Sequence, residues 1–221
     1  MKVISITLVC LLLFSCSSAE LVDYWKNPDI LSYSPNKVLL VGMTSNLEAR
    51  QKFEKQLQDE LALRGITSVM SLNFFEPTFV VEKKTEEELK SLEAKLINDG
   101  FDTILFTKVI GVEDKIQYKK DFDDFDATYK KFNEDYLKHQ DAYYNPDYYE
   151  EYTVYHTETS MYCICPTKDK ELIWKGYIDI MDPQNVVESV NDYVRLVIVV
   201  LEEQQLISPM FLEHNLNENA I

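Results

Sequence analysis

Glycine, cysteine, histidine and basic charge are all scarce in this chain, and each shortage excludes a class of chemistry. Five glycines in 221 residues leave no loop dense enough in glycine to cradle a phosphate. Gly42 stands alone after an apolar run, and Ser45 behind it reads as a helix cap. The three histidines, His139, His156 and His214, share no metal-ligand or triad spacing. Lys and Arg number 22 against 38 Asp and Glu, giving a formal charge of −16 and a pI near 4.6. A surface that acidic repels phosphate backbones, so nucleic acid is excluded as a natural partner. It repels anionic lipid headgroups too, and attracts basic partners or divalent cations. No G-x-S-x-G, H-E-x-x-H, P-loop or G-x-G-x-x-G pattern occurs, so the reading is of a protein that is not an enzyme and takes no cofactor.

Four cysteines are present, and they form no disulfide framework. Cys10 and Cys16 fall in the apolar amino-terminal stretch, which leaves Cys163 and Cys165. On a strand that i, i+2 pair points to one face. A structural zinc site needs four ligands, and His156 has the opposite parity. A disulfide between them suits an extended strand poorly. The expectation is therefore two reduced, buried, metal-free thiols beside Met161. The acidic run Asp121, Asp123, Asp124 and Asp126 fails the EF-hand pattern: counted from Asp121, position five is Phe125, position six Asp126 and position twelve Phe132. It reads as a solvated acidic face, with no metal site.

What is present begins at the amino terminus. Lys2 supplies a short positive end, Val3 to Phe14 is almost wholly apolar and too short for a permanent span, and small residues surround Cys16. This is an export signal. Leu13-Phe14-Ser15-Cys16 resembles the lipobox of bacterial lipoproteins, in which cleavage falls before the cysteine and its sulfur takes a diacylglycerol. The rival cut, after Ser17-Ser18-Ala19 and before Glu20, would discard Cys16 and free the product. The lipobox implies a membrane anchor made of a diacylglycerol and an N-acyl chain on Cys16, and more than one chain is what firm anchoring needs. Ser17, rather than an aspartate, after the cysteine implies by the same resemblance the outer membrane, with the domain periplasmic or surface-exposed. Loss of Lys2 with the signal takes the charge to −17.

Residues 1–15 are thus the signal peptide and 16–36 a short lipidated tether bearing Pro28 and Pro35, with Tyr24 and Trp25 expected to pack back on the domain. The domain spans 37–207 and a tail 208–221. Lys37 to Met43 is a continuous apolar run, as a strand buried on both faces requires. Ser45-x-x-Glu48 caps a helix whose Phe53, Leu57 and Leu61 form one stripe, ended by Gly65. Ile66 to Met70 is a strand. Thr85-x-x-Glu88 caps a second helix with Leu89, Leu92 and Leu96, closed by Gly100. Phe101 to Val112, Tyr152 to Cys165 and Glu171 to Ile180 are strands. Asp182-Pro183 starts a last helix, marked by the polar stripe Glu188, Asp192, Arg195 and Glu202. The order β-α-β-α-β, insertion, β-β-α predicts one α/β domain on a mixed sheet.

The stretches Lys37 to Ile66, Gly100 to Val109, Thr157-Glu158-Thr159-Ser160-Met161-Tyr162 and Lys170 to Gly176 together resemble a family of small bacterial envelope lipoproteins. Their domain is similar to the amino-terminal domain of the Tol-system propeller protein and to the periplasmic part of the curli-secretion lipoprotein. The resemblance implies the same fold over 37–207 and brings no catalytic residues with it.

The insertion, 117–151, departs from that pattern. Phe122, Phe125, Tyr129, Phe132 and Tyr136 form a helical seam edged with acids and Lys130, Lys131 and Lys138, and Pro146 stops it. One reading packs this seam on the parent domain. The other leaves an acid-rimmed aromatic surface for a basic protein partner, with Tyr143, Tyr144, Tyr148 and Tyr149 as contacts, since Tyr offers large area at low entropic cost. The function expected is a non-enzymatic protein-interaction module held at the envelope. The alternative is a small-ligand-binding lipoprotein with a pocket between the sheet and residues 73–82.

Overall fold

A computed structural model describes residues 17–75, 83–118, 131–140, 144, 149–165, 171–181, 183 and 185–210. The strands are β1 (Ala19–Lys26), β2 (Lys37–Met43), β3 (Thr67–Met70), β4 (Thr103–Tyr118), β5 (Tyr149–Cys163) and β6 (Glu171–Met181). The helices are α1 (Leu47–Ala62), the single turn α2 (Ser71–Phe74), α3 (Glu86–Asn98), α4 (Phe132–His139) and α5 (Val186–Glu203). The strands make one mixed sheet in the order β1-β6-β5-β4-β2-β3, parallel only where β2 meets β3 and β4. The α/β class and mixed sheet expected from the sequence are what the chain forms.

The apolar pattern decides the layers. α1 and α5 lie side by side on one face and bury Phe53, Leu57, Leu61, Val194, Val197 and Leu201 against Leu40, Leu105, Met161, Trp174 and Ile178 of the sheet. α3 covers part of the other face, where Leu96, Phe101 and Ile164 pack with Leu39. Its capping box is as expected: Thr85 Oγ1 accepts from Glu88 N at 3.2 Å and the Glu88 carboxylate accepts from Thr85 N at 2.7 Å. Gly65 and Gly100 end their helices at φ of 73° and 83°, where a side chain would be strained.

Four local expectations are corrected. The tether is not free: Ala19–Lys26 adds to β6 as an antiparallel edge strand, because Ala19 and Leu21 alternate into the core, with a bulge between Leu21 and Asp23. Tyr24 and Trp25 remain 46 % and 45 % exposed on it. α1 is capped by Asn46, whose side chain accepts from Ala49 N, and not by Ser45. α5 is capped by Asn185, so Pro183 precedes the helix instead of opening it.

Cys163 and Cys165 are joined by a disulfide, against the expectation of free thiols. β5 ends at Cys163, so Cys165 no longer follows strand geometry, and a Cα–Cα separation of 5.4 Å lies in the disulfide range.

β4 and β5 are longer than the sequence suggested. Pairing runs from Thr103↔Cys163 to Tyr118↔Tyr149, whereas β5 pairs with β6 no further than Val154↔Met181. The rows beyond form a two-stranded arm built from the flanks of the 117–151 insertion. Within the insertion, Phe132 and Tyr136 fall on α4, touch each other with ring centroids 5.7 Å apart, and are exposed. At these two positions the seam does not pack into the parent domain. Phe122, Phe125 and Tyr129 lie outside the described residues.

Candidate functional site

Parallel strands β2 and β4 end side by side, Met43 opposite Lys108, and α1 starts just beyond. Open α/β sheets commonly place ligands at such carboxyl edges. Here a cavity of about 350 Å³ lies between the α1 amino terminus, α5 and the sheet. Gly42, Asn46, Phe53, Val109, Tyr155 and Val190 line it, together with a set of hydroxyls.

Those hydroxyls come from three elements. Thr157 Oγ1 donates to Ile178 O at 2.6 Å and lies 3.0 Å from the Tyr193 hydroxyl. Tyr193 Oη is 2.7 Å from Thr159 Oγ1, which is 2.7 Å from Thr107 Oγ1. Burial pushes the Tyr193 phenol up from its ordinary range, against the hydrogen bonds of Thr157, Thr159 and Thr107, so it stays a neutral donor. Phe53 meets its ring edge-on at a centroid distance of 5.9 Å.

The wall beside β2 is set by a buried carboxylate. Glu54 is fully buried and both its oxygens are hydrogen-bonded: Oε1 accepts from Gly42 N at 3.0 Å, Arg50 Nε at 3.0 Å and Ser71 Oγ at 2.5 Å, and Oε2 accepts from Leu72 N at 3.1 Å. Arg50 also donates to Ser71 Oγ at 2.7 Å. A side chain at position 42 would come within 3.2 Å of Phe53 and 3.3 Å of Arg50, so glycine there keeps the wall intact. The network locks α1 to β2 and α2. It offers no free group for chemistry.

The opposite sheet face carries charge. Glu158 is buried between Lys108 at 3.0 Å and Lys175 at 3.6 Å, with Ser160 Oγ donating at 2.9 Å. Burial works against its charged form, but the Lys108 and Ser160 hydrogen bonds and both lysine charges outweigh that and hold the carboxyl below the usual glutamate range. His156 Nδ1 sits 2.7 Å from Asp179 and Nε2 3.4 Å from Glu113; the Asp179 hydrogen bond, against some desolvation, raises the imidazole pKa.

The residues expected to act are not brought together among the described residues. Cys16, Tyr143 and Tyr148 lie outside them. Tyr144 is 73 % exposed. Tyr149 opens β5 opposite Tyr118. The pocket expected between the sheet and residues 73–82 falls largely outside the described residues, which omit 76–82; the cavity described above takes none of its described lining from 73–75. The missed signal was polar residues in buried strands, Thr107, Thr157 and Thr159, and one tyrosine in the aliphatic face of α5. Among the described residues no cluster of His, Cys, Asp or Glu could hold a metal ion, and no helix is long and apolar enough to cross a membrane.

No family model and no curated protein matches the chain. Among solved structures it is similar to the PelC dodecamer from Paraburkholderia phytofirmans, with a TM-score of 0.42 and 11% identity over 85% of this chain and 98% of that one. It is also similar to lipoprotein GNA1162 from Neisseria meningitidis, with a TM-score of 0.40 and 10% identity over 76% of this chain and 99% of that one. At these values neither likeness assigns a family, a partner or an assembly.

Proposed function

We propose that the protein is a lipoprotein of the bacterial outer membrane, anchored by a diacylglycerol and an N-acyl chain on Cys16, whose domain binds another envelope protein and catalyses no reaction. The observation that carries the reading is the export signal ending in Leu13-Phe14-Ser15-Cys16. The fold supports this cut over the rival one. Ser18 N and Oγ donate to Asp192 at 2.8 and 3.1 Å, Met181 N donates to Ser18 O, and Ala19 is buried opposite Ile180. Cleavage before Glu20 would strip these residues from the edge strand.

The partner surface in this reading is acidic and aromatic. The net charge of −16 and the exposed Phe132, Tyr136 and Tyr144 support a basic protein partner. The test is cross-linking in native membranes, with and without residues 121–149 replaced by a short Gly-Ser loop. Loss of the cross-linked partner with a folded domain supports the reading; unchanged cross-links contradict it.

The cavity favours a second reading, a small-ligand site lined by Tyr193, Thr107 and Thr157 in an apolar cleft. Saturable thermal stabilisation by a small molecule, abolished by Val190→Trp, supports it.

A further inference from the structure

The arm, the cavity mouth and the amino terminus all lie at one end of the sheet. Ser18 is hydrogen-bonded to Met181, Met181 pairs with Val154, and Val154 pairs with Glu113. This row is the last before β4 and β5 continue alone. Five further pairs follow, from Asp114↔Thr153 to Tyr118↔Tyr149. At a strand rise of about 3.4 Å per residue they extend roughly 17 Å past Ser18. From Ser18 back to Cys16 the chain can span at most about 7 Å.

The geometry points to a lipid-contacting arm: β4–β5 from Val112 and Tyr155 onward lies in the headgroup region of the membrane that holds Cys16. The inference rests on the acylated Cys16 of the proposed function. A bilayer within about 7 Å of Ser18 leaves no room for an arm of about 17 Å off the same end, unless the arm enters or lies along its surface. The side chains suit that place. Val112 and Ile116 are 58 % and 66 % exposed, and Ile110 stands out at the β4 bulge. Met43, Leu47 and Val187 are exposed at the same end. Two of the arm's acids are locally engaged: Asp114 accepts from Thr153 at 2.9 Å, and Glu113 lies 3.4 Å from both Lys115 and His156, while Glu151 is exposed on the other strand. The acyl chains supply the affinity, so the arm need only be compatible with headgroups.

The test uses full-length acylated protein in phosphatidylcholine vesicles, with a nitroxide on Val112→Cys, Ile116→Cys or, at the opposite end, Leu63→Cys. Collision with oxygen, which partitions into lipid, is compared with collision with a water-soluble nickel complex. The expected result is a several-fold loss of nickel access with retained oxygen access at 112 and 116, and full nickel access at 63. Nickel access at all three positions on protein that floats with the vesicles overturns the inference and leaves the anchor standing. Loss of both reagents at 112 and 116 also overturns it, because the arm is then buried in a second copy or another protein. Protein that does not float overturns both this inference and the reading it rests on.

Discussion

At the residue scale the fold depends on a few positions with no substitute. Gly176 is one: a Cβ there would run into the indole of Trp174, which lies flat across it in the core. Gly176→Ala should cost roughly 3 kcal/mol, at the upper end of overpacking losses, read as a lower urea midpoint with an unchanged slope. Glu54 is another. Glu54→Ala leaves Arg50 charged, buried and unpaired, so it should cost about 3–5 kcal/mol. The double replacement Arg50→Met with Glu54→Leu should recover the part of that loss due to the unpaired Arg50 charge, while Gly42 N, Leu72 N and Ser71 Oγ still lack their acceptor. Equal losses in the single and double variants would contradict the view of Glu54 as a partner to Arg50. His156 contributes a pH dependence near neutrality. Its folded pKa is raised by Asp179 above an ordinary 6.5, so its contribution is full below 6.5 and lost as pH rises through the folded value. The thermal midpoints of the wild-type protein and His156→Gln should therefore differ most below pH 6.5 and converge as pH rises through the raised folded value. A gap independent of pH would contradict this.

At the scale of elements, legibility followed periodicity. β2, α1, α3 and α5 were readable because their apolar residues repeat at the period of the element and their ends carry caps or glycines. β1 was not, because AELVDYWK is interrupted by a bulge at Val22 and it is held by β6 and the core, which are distant in sequence. The helix starts moved, from Ser45 to Asn46 and from Asp182 to Asn185, because neighbouring polar residues compete to cap the first free amides. The Cys163–Cys165 bond was hidden by an assumption of straight strand geometry that ends at Cys163. Exported protein should be two hydrogens lighter than its reduced form, by intact mass. So short a loop constrains the unfolded chain little, so reduction should leave the thermal midpoint nearly unchanged. A mass unaltered by reduction would contradict the bond. The cavity was illegible for a plainer reason: Gly42, Thr107, Thr157 and Tyr193 are far apart in sequence, and only the sheet order brings them to one edge.

At the scale of the whole molecule, the account turns on where the chain enters the fold. The sheet starts at Ala19, Ser18 is already tied to Asp192 and Met181, and an anchor at Cys16 would hold the domain against the membrane with one end facing lipid. The signal that implies this was readable from residues 1–16; the absence of slack between signal and fold was not, because it depends on β1. The most direct measurement is mass spectrometry of the amino-terminal peptide from the membrane fraction. The account predicts a peptide beginning at Cys16, carrying a diacylglycerol on sulfur and an acyl chain on nitrogen. An unmodified peptide beginning at Glu20 would contradict it.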